Sequence, residues 1–300
     1  MSEPPLKTLE VEAATSPAVE AADGTRQLEE LKRLVAGRRW YYALWARIML
    51  GAIPLVALTL LWLIVSAHPP HGALQYAAPR IQPTLTDLKN DIVGQSPIVR
   101  SAILLTLEET AIGLVIAITA GFLLGVPMGL VRLVDASLYP IIVVLQAVPF
   151  VAITPLLALV FGFGIGSKVA LAAVLSFFPI LLNVIVGMKR IRLDEIDLLR
   201  SLGASRAQTF LKLRLPRAFG SIFAGLQVGI LFALLGAVIG EIVGGAGEGN
   251  GGLGVQLTIR TQGLDIPGAF SVLIIISVMA ASLTLLVAAM SRLLTNWKEL

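Results

Sequence analysis

Cysteine is absent from this 300-residue chain. That excludes a disulfide framework, a thiolate metal site and a cysteine nucleophile. Histidine is nearly absent. His68 and His71 flank Pro69-Pro70, have no third metal ligand nearby and read as a solvated turn. Charge is scarce too, at 14% of residues, where a soluble domain carries about a quarter. A chain this poor in charge has its bulk solvated by lipid. The few histidines and buried acids also leave no cluster of catalytic groups at one membrane depth, which excludes a membrane enzyme. The net charge of +4 does not point to nucleic acid, because the basic residues fall between apolar runs.

What is present is apolar: 56% of residues, with a mean hydropathy of +0.86. Crossing the hydrocarbon core takes roughly 20 apolar residues in a helix. Six such runs are legible, at 46–66, 102–130, 138–161, 168–188, 218–243 and 269–291. Strands of a membrane barrel would alternate apolar and polar residues, and these runs do not. The expected fold is an all-α membrane protein with six transmembrane helices. Residues 1–24, rich in Ala, Glu, Pro, Ser and Thr, read as a disordered tail without the basic start and short apolar core of a signal peptide. Residues 25–45 read as a basic amphipathic helix on the membrane surface, carrying Leu28, Leu31 and Leu34 among Arg26, Lys32 and Arg33. Residues 46–97 hold the first span and an outer loop, 98–292 the five remaining spans, and 293–300 a C-terminal tail.

Orientation follows the distribution of Lys and Arg. With the N-terminus inside, 18 of the 23 basic residues fall on the cytoplasmic side. The outer side keeps Arg80, Lys89, Arg100, Lys168 and Arg260. Both termini are therefore expected to be cytoplasmic.

Loop 189–217 is long, charged and helical in pattern. Leu193, Ile196, Leu199 and Leu202 form an apolar stripe expected to be exposed and to invite a partner. Asp194, Glu195 and Asp197 stand where a helix N-terminus favours anions. Gly203 suits the left-handed residue that ends a helix. Ser205 with Gln208 makes a capping-box pattern for a second short helix. Pro216 is expected to end that helix and start the fifth span.

Within the spans, Gly121, Gly125 and Gly129 recur every four residues, the spacing for close helix packing. Pro127, Pro149 and Pro155 predict kinks. Polar groups are costly in lipid, so Gln146, Asn183 and Gln227 are candidates to line a pathway, with interhelical hydrogen bonding the competing role. Pro149 and Pro155 are candidates to shape it. Glu241, near the outer end of the fifth span, joins the candidates and is expected to be partly exposed. Two glycine patterns are dismissed. Gly249, Gly251 and Gly254 have no βαβ unit around them. Gly162 to Lys168 lacks the Lys-Ser/Thr pair and preceding strand of a phosphate loop, so ATP hydrolysis by that route is excluded.

Arg200-Ser201-Leu202-Gly203-Ala204-Ser205 through Leu213-Arg214-Leu215-Pro216 resembles the "EAA" loop of ABC importer permeases. The family's triplet falls on Asp197, Leu198 and Leu199, its glycine on Gly203, and its apolar and Leu-Pro positions on Leu213 and Leu215-Pro216. Phe177 to Asn183, the Phe161-Gly162-Phe163-Gly164 run, and Glu241 followed by Gly252-Leu253-Gly254 resemble the subgroup that imports nitrate, sulfonates, taurine or pyrimidine precursors. Glu108-Glu109, early in the second span, is a departure: members often carry an Arg near Glu109, ahead of the glycine corresponding to Gly113. The resemblance, over about 98–292, implies two permease copies forming a pathway. It implies two ATP-binding subunits docked on the loops and an extracytoplasmic solute-binding protein. The chain itself would be a non-catalytic, multi-pass inner-membrane subunit without a cofactor, ATP being bound by the partner. A secondary transporter or channel is the alternative. It would place ionisable residues or broken helices near the midplane and leaves the cytoplasmic loop without a role.

Overall fold

The structure, a computed structural model, describes residues 81–92, 97–245 and 251–295, with seven helical positions between 53 and 64. The N-terminal tail, the basic amphipathic helix, His68, His71 and most of the first expected span lie outside the described residues. The chain divides into two units, 1–68 and 69–300.

In the second unit, all regular structure among the described residues is helical: α1 (Ile81–Ile92), α2 (Pro97–Leu130), α3 (Arg132–Gln146), α4 (Phe150–Phe161), α5 (Ile165–Lys189), α6 (Leu193–Ser201), α7 (Arg206–Thr209), α8 (Leu215–Gly244), α9 (Leu253–Gln262) and α10 (Ile266–Thr295). Helix is the answer lipid imposes, because it satisfies every backbone group within one segment. Among the described residues, four helices are long and apolar enough to cross a membrane: Pro97–Leu130, Ile165–Lys189, Arg206–Gly244 and Ile266–Leu293. The α3–α4 pair raises the number to five if it is taken as one span.

That pair corrects the third span expected at 138–161 in degree: the kink expected at Pro149 is a full break between two helices. α3 and α4 meet at 92° across residues 147–149. Pro149, with φ −73° and ψ 84°, begins the second helix, and its carbonyl accepts the Ala152 N–H at 2.8 Å. Pro155 lies inside α4 without breaking it. A proline leaves the carbonyl four residues back without its usual donor; here the Thr154 hydroxyl donates to that carbonyl, on Val151, at 2.8 Å.

A second correction concerns Pro216, expected to separate the short loop helix from the fifth span. Helix runs without interruption from Arg206 to Gly244. A π-helical turn, Phe210–Arg214, joins α7 to α8, and the Leu215 N–H reaches back to the Phe210 carbonyl. Pro216 sits in the first turn of α8, where the wider π turn has already rearranged the bonding that proline would disrupt.

The core lies where α2, α5 and α8 meet, around Ala117, Ile180, Val184, Met188, Ala218 and Ile222. Close approach depends on missing side chains. A Cβ on Gly121 would stand 2.9 Å from Ile180, one on Gly125 2.8 Å from Val184, and one on Gly129 would strike Met188, all on α5. α8 presents a second glycine row to α5. There Gly225 meets Asn183, Gly229 meets Ile180, Gly236 meets Ala172 and Gly240 meets Lys168, at 2.5–2.9 Å for an added Cβ.

Candidate functional site

Two polar regions stand at opposite ends of this bundle. One lies where α5 begins and α8 ends. Thr106 and Glu109 come from α2, Lys168 from α5, Glu241 from α8, and the backbone of Leu253 and Gly254 from the start of α9. Thr106, Glu109 and Glu241 are 0% exposed and Lys168 is 2% exposed. The Lys168 Nζ lies 3.6 Å from Glu109 Oε1. Thr106 Oγ1 donates to Glu241 Oε1 at 2.7 Å and accepts the Leu253 N–H at 2.9 Å. The Gly254 N–H donates to Glu241 Oε2 at 2.5 Å. A buried carboxylate requires this kind of partnership.

The run Gly252-Leu253-Gly254 acquires a physical reason here. A Cβ on Gly252 would collide with the Glu241 carboxylate, and one on Gly254 with the Val238 carbonyl. Only glycines let the backbone come down onto Glu241. The turn then covers that carboxylate, so the expectation of a partly exposed Glu241 is corrected. Sealed in this way, the cluster ties α2, α8 and α9 together and offers a solute no access.

Sequence reasoning does not assemble this cluster. It counts Lys168 with the solvated outer residues and treats Glu109 only as a departure from a family pattern. A signal is nevertheless present. Glu109, Gly113, Ala117, Gly121, Gly125 and Gly129 recur every four residues on one stripe, which puts Glu109 on the face that packs against α5. Beside the cluster, Arg260 of α9 pairs bidentately with Asp91 of α1 at 2.7 and 2.9 Å and donates to Ser271 of α10 at 2.9 Å. Among the described residues no three His, Asp or Glu side chains gather as metal ligands.

The pathway candidates are not brought into one group. Gln146 and Pro149 are exposed at the α3–α4 break, and Pro155 is exposed on α4. Asn183 is half-buried between α5 and α8; its Nδ2 donates to the Pro179 carbonyl at 2.9 Å, the local bonding that a helix interface favours. Gln227 is half-buried on α8. Glu241 belongs to the sealed cluster.

The other polar region is segment 189–217. α6 ends in a left-handed residue, Gly203, with φ +79°. The Gly203 N–H donates to Arg200 and the Ala204 N–H to Leu199, at 2.9 and 3.0 Å, closing the helix end. Ser205 and Gln208 then form both bonds of a capping box, at 3.2 and 2.8 Å. The apolar stripe is arranged differently from the expectation. Ile196 is buried and Leu199 half-buried, because that face turns toward the bundle. Leu198 and Leu202 point outward, 62% and 74% exposed. Asp197 is exposed beside Arg200. Leu213 and Leu215 are half-buried where the π turn enters α8, and Leu215 packs on the core. An ion pair of 2.8 Å between Glu195 and Arg217 straps α6 to α8.

Residues 113–298 match the family of binding-protein-dependent transport system inner membrane components, and the chain belongs to that family. It is 32% identical to the formylaminopyrimidine transport permease protein ThiX of Halalkalibacterium halodurans, over 65% of this chain and 76% of the relative. It is 30% identical to the taurine transport system permease protein TauC of Escherichia coli, over 64% and 68%. It is 28% identical to the nitrate import permease protein NrtB of Synechococcus elongatus, over 56% and 62%. The chain is thus an ABC importer permease of the nitrate, sulfonate and taurine type. It is a multi-pass inner-membrane protein and a non-catalytic component.

Proposed function

We propose that the chain, paired with a second permease copy, forms the pathway for a small anionic or heterocyclic solute of the nitrate, sulfonate, taurine or pyrimidine-precursor type. In this reading both termini and segment 189–217 are cytoplasmic. Two copies of an ATP-binding subunit dock on the segments of the two permeases, and an extracytoplasmic binding protein delivers solute at the sealed end. ATP is bound by the partner, and this chain carries no cofactor. The observation that supports coupling most directly is the outward-facing pair Leu198 and Leu202 on α6, next to a capped turn that continues as a single helix into the membrane. Asp197, Leu199, Gly203, Ala204, Ser205, Leu213, Leu215 and Pro216 are the residues that hold this surface in place. Gln146, Pro149, Pro155, Asn183 and Gln227 are the candidates to contact or shape the pathway.

Gly203→Pro tests the coupling. Proline fixes φ near −65° and cannot take the +79° found here. The variant is expected to insert normally, because the spans are unchanged, and to lose both the copurifying ATPase and transport. Retention of both would displace the docking site from this segment. A homo-oligomer that transports without any nucleotide-binding partner would favour a secondary transporter.

A further inference from the structure

Between the end of α2 and the α6–α7 turn lies a cleft of about 330 Å³. Three arginines line it: Arg200 from α6, Arg206 at the start of α7 and Arg214 in the π turn. Leu130, Val131 and Phe210 form its apolar side. The charge is poorly balanced. Arg200 reaches only the exposed Asp197, at 3.5 Å. Arg206 and Arg214 have no ion-pair partner among the described residues, and the partly desolvated Arg214 feels the like charge of Arg200. Three guanidinium groups around one small cleft call for an anion with several oxygens, and phosphate geometry suits guanidinium forks.

The apolar side indicates where that phosphate comes from. Leu130 and Val131 are 40% and 47% exposed at the end of a membrane-length helix, and Leu133, 76% exposed, continues the strip outward. The cleft therefore sets basic groups on one side and apolar surface on the other, the pairing that suits a lipid headgroup and the start of its chains. We propose that it binds the headgroup phosphate of an anionic phospholipid, with Arg200, Arg206 and Arg214 on the phosphate oxygens and the first acyl carbons over Leu130 and Val131. The bound lipid bridges α6 and α7 to the end of α2 and so fixes segment 189–217 against the bundle. Binding rests on the membrane reading of the fold and not on ATPase coupling, so the two can fail separately.

The test is native mass spectrometry of the full-length chain, titrated with phosphatidylglycerol or phosphatidylcholine, with inorganic phosphate as a competitor. The wild type is expected to retain one phosphatidylglycerol per chain through delipidation and to release phosphatidylcholine. Arg206→Gln, an exposed change with little cost to the fold, together with Arg214→Gln should weaken phosphatidylglycerol binding by about tenfold. Arg217→Gln, at the same end but outside the cleft, should leave it unchanged. Should the double variant fail to fold, Arg206→Gln alone gives the same reading with a smaller shift. Equal retention of both lipids, or equal retention by wild type and Arg206→Gln, would overturn the proposal. Displacement of the lipid by inorganic phosphate at millimolar concentration would overturn the lipid as the source and leave a free-phosphate site.

Discussion

The two ends of the bundle are held by opposite means. At the start of α5, Glu109, Lys168, Glu241 and Thr106 are excluded from water; Lys168 pairs with Glu109, and Glu241 and Thr106 bond to each other and to the turn at 252–254. At segment 189–217 the charged groups outnumber those of the sealed end. Their pairs Arg192–Asp194 and Arg200–Asp197 are largely exposed, and in Arg217–Glu195 the arginine is exposed and the carboxylate half-buried. Removing one partner of a dry pair leaves a bare charge in a medium that cannot solvate it, whereas water replaces a lost partner at the wet end. One end is therefore built to keep its arrangement and the other to exchange partners.

The largest expected effect comes from removing the cation at the dry end. Lys168→Met leaves Glu109 and Glu241 buried without a counter-charge, at a cost of about 3–5 kcal/mol. A lower thermal midpoint in detergent should report it, and adding Glu109→Gln should recover part of the loss as a non-additive pair. If Lys168→Met kept the wild-type midpoint, the contrast between the ends would collapse. A middle-sized effect is expected for Thr106→Val, which removes a donor to Glu241 and an acceptor for Leu253. The cost is about 1–3 kcal/mol, and amide hydrogen exchange at Leu253 and Gly254 should accelerate while that of α6 stays constant. The smallest belongs to the wet end. Arg217→Ala breaks the strap to Glu195 and should cost less than about 1 kcal/mol, with the difference from wild type vanishing in high salt. A cost comparable to that of Lys168→Met would mean the strap is far drier than its exposure implies.

What can be read from the sequence is local. Hydropathy locates three of the four long spans to within five residues at either end, because each run must cross the hydrocarbon unaided; the start of Arg206–Gly244 is missed. The turn at Gly203 and the box of Ser205 and Gln208 are legible, because their bonds close over three to five residues. The 92° bend at Pro149 is not. Proline marks where a helix can break, but the new direction is set by what α4 packs against. The continuity through Pro216 escapes a sequence reading because a π turn has no residue signature of its own. The sealed cluster escapes it because Thr106 and Glu241 are 135 residues apart, and neither carries a mark of the other. Glu109 alone leaves a trace, through its place on the glycine stripe.

The π turn at Phe210–Arg214 has a mechanical meaning. By making Arg206–Gly244 one helix of 39 residues, it produces a rod about 58 Å long at 1.5 Å per residue. The rod has its foot in segment 189–217 and carries Glu241 near its tip. A tilt of about 5° pivoted at the foot would move the tip by about 5 Å, roughly one helical turn. That displacement exceeds the length of any bond holding the 252–254 turn to Glu241. A stroke delivered at one face of the membrane would thus arrive at the other as a choice between a closed seal and a broken one, with no relay of side chains in between.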